Sequence, residues 1–141
     1  ATLKTGVVLI KSELQQLGIK ESDINLENPS GFSRNNRFSA KTLNIVLNRI
    51  HSDFKLFPTF TESLPLLGID GTLKKRMKDT DIAGYVRAKT GYLDGVVSLA
   101  GYLGDKKANQ YVFLFIYNGN RDETVVRSTF DEILQYLHEQ M

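Results

Sequence analysis

"YVRAKTGYLDGVVSLAGYLGDKKANQYVFLFIY", residues 85–117, decides the fold. Three of its segments, "YVRAKTG", "GVVSLAGYL" and "QYVFLFIY", are rich in β-branched and aromatic residues. They are separated by "YLD" and "GDKKAN", which have the short polar character of turns. The pattern predicts three consecutive antiparallel strands. The third is apolar at every position from Tyr111 to Tyr117, which predicts a strand covered on both faces.

Beyond this stretch, Val126, Phe130, Ile133, Leu134 and Leu137 mark an amphipathic helix over about 123–139, able to lie across the sheet. The packing expected is Val97, Leu99, Val112, Leu114 and Ile116 against Phe130, Ile133, Leu134 and Leu137, with Leu43, Val46, Leu47 and Ile50 on the other side. Before the strands, Leu3, Val7, Ile10, Leu14 and Leu17 recur at spacings of three and four. This predicts a helix over about 3–17, ended at Gly18. Residues 19–37 show no sustained period and contain "NPSGFSRNN", the composition of a loop, and loops often carry function. Ser39 can cap a second helix with a face of Leu43, Val46, Leu47, Ile50 and Phe54; helical turns broken by Pro58, Pro65, Gly68 and Gly71 follow. The fold class is therefore α+β: N-terminal helices, a three-stranded antiparallel meander and a C-terminal covering helix, in a single domain spanning 1–141.

Composition narrows the functional classes. With 18 basic and 16 acidic residues the formal charge is +2, and the only basic cluster is "TLKKRMK" at 72–78, so no continuous stripe tracks a phosphate backbone and nucleic acid is not expected as a partner. The absence of cysteine excludes disulfides, thiolate metal sites and a cysteine nucleophile; two histidines, His51 and His138, exclude a multi-histidine metal site. No cofactor is expected. No apolar run reaches the length of a membrane span, and the opening residues lack a signal-peptide pattern. The chain opens on Ala1 rather than Met, as expected of a processed protein or a piece of a longer one.

Lys-Thr-Gly occurs twice. In penicillin-interacting serine enzymes this tripeptide holds the carboxylate of a peptide substrate: an ammonium and a hydroxyl at a strand rim, with a glycine that lets the peptide backbone come close. Lys4-Thr5-Gly6 opens a helical pattern, where there is no sheet edge to bind against. Lys89-Thr90-Gly91 ends a predicted strand before a tight turn, the context the chemistry needs. A nucleophile is harder to find. Ser52-Asp53-Phe54-Lys55 satisfies Ser-x-x-Lys, but Ser52 lies near the end of a helix, where the dipole opposes developing negative charge, and it follows rather than precedes the Ser-x-Asn match at Ser33-Arg34-Asn35. Neither is expected to be a catalytic element.

Three longer strings, "NPSGFSRNNRFSAKTL" (28–43), "SLPLLGIDGTLKKRM" (63–77) and "VRAKTGYLDGVVSLAGYL" (86–103), resemble the C-terminal part of the serine D-alanyl-D-alanine carboxypeptidases and endopeptidases of the class C penicillin-binding protein family, peptidase family S13. The resemblance covers about residues 1–118. It implies the α/β sandwich portion of a penicillin-binding or β-lactamase-like transpeptidase domain, in a periplasmic or cell-envelope enzyme. That enzyme acts on peptidoglycan stem peptides through an acyl-serine and is inhibited by β-lactam antibiotics. It implies that the nucleophile lies upstream of this region and that Lys89, Thr90 and Gly91 are the catalytic residues contributed here. It also implies substrate-binding roles for Ser30, Ser33, Arg34, Tyr92, Leu93 and Asp94, with Arg34 facing a carboxylate or carbonyl on the substrate side chain. Departures from the family pattern are Asn28-Pro29 in place of Asp-Gly, Tyr92 in place of a small hydroxyl residue, and Asp94, whose anion beside a carboxylate-holding lysine would weaken binding of an anionic peptide end. Two alternatives remain open: a peptidoglycan-peptide binding module without catalysis, and a related serine hydrolase such as an esterase or β-lactamase.

Overall fold

The computed structural model describes residues 2–141. The chain divides into two compact units, one ending at Ser52 and the other running Asp53–Met141.

The first unit opens with α1 (Leu3–Gln16), whose N-cap Thr2 accepts from Thr5 N through its hydroxyl. The segment expected to be a plain loop is a hairpin: a 3₁₀ turn at Glu21–Asp23 leads into β1 (Ile24–Asn25), which pairs antiparallel with β2 (Arg37–Phe38). Strands of two residues are too short to leave a period in the sequence. α2 (Ala40–His51) follows, with Ser39 Oγ accepting from Thr42 N at 3.0 Å as the sequence predicts. Ile19, Ile24 and Leu26 form this unit's small core, with Val7, Leu14, Leu17, Phe38, Ile45 and Val46 packed on it. Val46 is therefore a core residue of the first unit.

The second unit begins with α3 (Leu56–Glu62) and a 3₁₀ turn at Gly71–Leu73. β3 (Val86–Leu93), β4 (Val96–Gly104) and β5 (Gln110–Asn118) form the expected antiparallel meander in that order, and α4 (Glu123–Glu139) packs on β4. Asp122 caps α4, its Oδ1 accepting from Thr124 N at 2.8 Å. The fold is α+β.

Two expectations about the sheet core are corrected. β4 and β5 pair Val97 with Tyr117, Leu99 with Phe115 and Gly101 with Phe113, so the face that meets α4 carries Val97, Leu99, Phe113, Phe115 and Tyr117. Val112, Leu114 and Ile116 project from the opposite face and are only half-buried. A strand apolar at every position gives no alternation from which to choose the inner set. On α4 the buried stripe is Val126, Phe130, Leu134 and His138, repeating every four residues, while Ile133 and Leu137 are exposed. His138 replaces an aliphatic residue there: its Nδ1 lies 3.2 Å from Gly104 O and its ring stacks obliquely on Tyr85. Phe115 and Phe130, with ring centroids 5.1 Å apart, join sheet to helix. Arg76 grips Asp131 through Nε (3.1 Å) and Nη2 (2.7 Å), tying the "TLKKRMK" turn to α4. Among the described residues no helix is long and apolar enough to cross a membrane.

Candidate active-site edge

β3 is, like β5, an outer strand of the sheet, with β4 on its inner side. Among the described residues, backbone bonding covers its outer side over the first three residues only. Leu67 N donates to Val86 O at 2.9 Å, Ala88 N donates to Pro65 O at 3.1 Å, and Leu66 bridges antiparallel to Arg87. Arg87 fastens the same segment by donating from Nη1 to Leu64 O at 3.2 Å. Backbone groups of alternate residues point to the same side of a strand, so Thr90 presents its N–H and C=O along the edge that Pro65–Leu67 stops covering at Ala88.

Lys89-Thr90-Gly91 thus lies inside β3, not at its end. The strand continues through Tyr92 and Leu93, and Asp94-Gly95 alone makes the connection to β4. The expected turn "YLD" is corrected to this shorter one: Tyr92 and Leu93 pair with Val97 and Val96, and this pairing holds them extended. Lys89 is exposed, and its Nζ donates to Thr90 O at 2.6 Å, folding the ammonium over the open edge. Thr90 Oγ1 donates to Thr72 Oγ1 at 3.2 Å. Gly91 faces Ser98 across the β3–β4 pair so closely that a Cβ at 91 would collide with the Ser98 hydroxyl. Tyr92 extends toward α4, where Arg127 covers its ring at 5.4 Å; the negative charge of Glu123, then burial and a hydrogen bond to Glu123, push its hydroxyl above the ordinary tyrosine range. Leu93 is half-buried and Asp94 exposed at the hairpin end.

Ser30, Ser33 and Arg34 sit in the β1–β2 loop of the first unit, which is built by side-chain bonds to its own backbone. Asn36 Oδ1 accepts from Glu27 N (2.9 Å) and Asn28 N (3.0 Å), while Asn36 Nδ2 donates to Asn28 O at 2.6 Å. Ser30 Oγ donates to Asn28 Oδ1 at 2.7 Å, and Ser33 Oγ donates to the Glu27 carboxylate. That bond, with a second from Asn35, holds Glu27 below the usual carboxylate range. Both serine hydroxyl protons are thereby used to shape the loop, whose tip exposes Phe32 and Arg34. Glu27, Asn36 and Thr72 are absent from the residues expected at the site, because partnerships made across turns leave no periodic trace. The one available signal for Thr72 is its place in the string 63–77 that resembles the family.

One excluded motif opens a helix and the other follows one. Lys4-Thr5-Gly6 occupies the first turn of α1, and Ser52 is the C-cap of α2, its hydroxyl donating to Asn48 O at 3.0 Å.

Residues 1–140 match the model of the D-Ala-D-Ala carboxypeptidase 3 (S13) family. The chain belongs to this family. Its S13 relatives include carboxypeptidase DacB of Mycolicibacterium smegmatis, 40% identical over 119 residues that make up 80% of this chain and 25% of that protein. D-alanyl-D-alanine carboxypeptidase DacB of Haemophilus influenzae is 34% identical over 122 residues, 84% of this chain and 25% of the relative. Among solved structures, penicillin binding protein 4 (DacB) of Haemophilus influenzae superposes with a TM-score of 0.82 at 29% identity, covering 99% of this chain and 32% of that one. Its complex with a novel β-lactam superposes at 0.81. The S13 chain in hand spans about a quarter of the length of the curated relatives it matches.

Proposed function

We propose that this chain is the Lys-Thr-Gly-bearing part of a serine D-Ala-D-Ala carboxypeptidase or endopeptidase. On this reading it completes one penicillin-binding domain with a nucleophile-bearing portion encoded upstream, and acts on peptidoglycan stem peptides in the periplasm or cell envelope. The observation that carries the reading is the open β3 edge: cover ends at Ala88, and the next groups along it are the Lys89 ammonium and the Thr90 backbone and hydroxyl.

A peptide added along that edge would bond its backbone to Thr90, with Lys89 and the Thr90 hydroxyl holding its terminal carboxylate. This places the penultimate carbonyl before the upstream serine. The serine oxygen attacks that carbonyl carbon and its proton passes to the departing nitrogen. The peptide bond breaks, D-alanine leaves, and an acyl-serine remains. Water then adds to the acyl carbon and restores the serine hydroxyl, releasing the shortened peptide acid. Arg34 is assigned to the side chain of the stem peptide, with Ser30 and Ser33 shaping its loop, and Tyr92, Leu93 and Asp94 line the far end of the edge. β-Lactams acylate the same serine.

The test is intact-mass spectrometry and peptide mapping of the complete protein after treatment with a fluorescent penicillin. One adduct on a serine outside this chain is expected. A stoichiometric adduct on Ser52 would overturn the assignment, and stem-peptide binding with no adduct at all would replace it with a non-catalytic binding module.

A further inference from the structure

Thr72 has no role in the reading above, yet its hydroxyl is the partner of one of the two groups assigned to the substrate carboxylate. The segment that covers the β3 edge turns away through Gly68 and Asp70. Asp70 Oδ1 accepts from Leu66 N at 2.8 Å, Asp70 N donates to Leu66 O at 3.1 Å, and Gly68 N donates to Leu73 O at 3.1 Å. Gly71 has φ +51, and a Cβ there would press on Pro65 at 3.0 Å, so this tight turn needs glycine. The turn is thus rigidly referenced to the covering segment, and through it to β3. Its result is to deliver the exposed Thr72 side chain to the point where the cover ends, 3.2 Å from Thr90 Oγ1.

We infer that Thr72 is a positioning residue for carboxylate recognition, acting through Thr90. In the arrangement seen, Thr90 donates its proton to Thr72. A carboxylate is acceptor-only, so Thr90 can bind one only by turning its proton toward it. Thr72 then has to reverse as well, donating its own proton to Thr90 Oγ1. A hydroxyl that accepts one hydrogen bond becomes a stronger donor of the next, so the pair makes a two-link relay from Thr72 through Thr90 to the anion. Both threonine hydroxyls rotate freely enough for the exchange, which needs no movement of heavy atoms. Lys89, the charged member of the site, is bonded to Thr90 O, and its geometry does not depend on Thr72. The relay therefore tunes the neutral arm of the site alone.

The inference rests on the carboxylate-holding role proposed for Lys89 and Thr90, and the experiment separates the two. In the complete enzyme, kcat/KM is measured for an N-acylated peptide ending in D-Ala-D-Ala and for the same peptide with a C-terminal amide, in wild type, Thr72→Val, Thr72→Ser and Lys89→Ala. Acylation by benzylpenicillin against its methyl ester gives the same comparison with a faster reagent. Thr72→Val is expected to lower the acid-to-amide ratio about five- to tenfold, the effect of one hydrogen bond near a charge, with activity on the amide retained. Thr72→Ser, which keeps the hydroxyl, is expected to retain the wild-type ratio. An unchanged ratio in Thr72→Val, or an equal loss on acid and amide, overturns the role of Thr72 while a reduced ratio in Lys89→Ala leaves the underlying reading standing. An unchanged ratio in Lys89→Ala overturns that reading and the relay with it.

Discussion

Gly91 and Ser98 stand opposite each other across β3 and β4, and the Ser98 hydroxyl fills the space where a side chain on residue 91 would begin. The glycine of Lys-Thr-Gly is thus fitted to its sheet neighbour before any peptide arrives, since a side chain at 91 would first have to turn the Ser98 hydroxyl aside. Gly91→Ala is expected to destabilise the protein by about 1–3 kcal/mol through overpacking. In a Ser98→Ala background most of that cost should vanish, because the colliding oxygen is gone. Urea denaturation of the four proteins of this cycle checks it; an equal cost in both backgrounds would place the strain elsewhere.

Neighbouring residues on α4 give a second comparison. Leu134 is fully buried against the sheet, whereas Ile133 is 39% exposed. Leu134→Ala is expected to cost about 2–5 kcal/mol and Ile133→Ala under about half of that, since most of the isoleucine's surface change is made in water. Thermal or chemical unfolding distinguishes them, and equal losses would mean that Ile133 is packed in the protein.

These two residues also mark where the sequence stopped being readable. The α4 range, the meander and the cap at Ser39 follow from periodicity and local hydrogen-bonding chemistry that act within a few residues. The inner face of β5 does not, since Tyr111 to Tyr117 offers two apolar faces and only pairing with β4 chooses Phe113 and Phe115. At the candidate site Lys89 and Thr90 were legible from a motif in a strand context. Their surroundings were not: the cover over β3 ends at Ala88 through backbone bonds from a segment some twenty residues earlier, and Thr72 arrives with it.

The β4–β5 turn predicts an acid sensitivity. Asp105 accepts from Lys107 N (2.8 Å), Asn109 N (2.8 Å) and Asn109 Nδ2 (2.7 Å), and these bonds, led by the Asn109 side chain, lower its carboxyl below the ordinary aspartate value of 3.8. A carboxyl depressed by folding binds its proton more readily in the unfolded chain. Its contribution is therefore fully present above about pH 4–5, by the usual aspartate range, and is lost as pH falls through the lowered folded value. Asp105→Asn should be less stable than wild type at pH 6, and the gap should close toward pH 2.5. Urea midpoints of both proteins across this range test it, and a gap independent of pH would mean that the charge on Asp105 does not matter.

The two Lys-Thr-Gly copies supply the test of the proposed activity within one protein. Lys4 stands in the first turn of α1 and is exposed; Lys89 stands on the sheet edge with its ammonium at Thr90 O. On the proposed function the edge lysine of the complete enzyme would orient the scissile bond as well as bind the peptide end, so its loss should reach the transition state as well as the ground state. Lys89→Ala is expected to lower kcat/KM on a peptide ending in D-Ala-D-Ala by at least about a hundredfold, roughly 2.7 kcal/mol, and Lys4→Ala to leave it within about twofold. Steady-state kinetics on the two variants decides the matter, because composition, charge change and motif are identical and only the secondary structure around the lysine differs. Small, equal effects at both positions would reduce Lys89-Thr90-Gly91 to a stretch of sheet with no working residue in it.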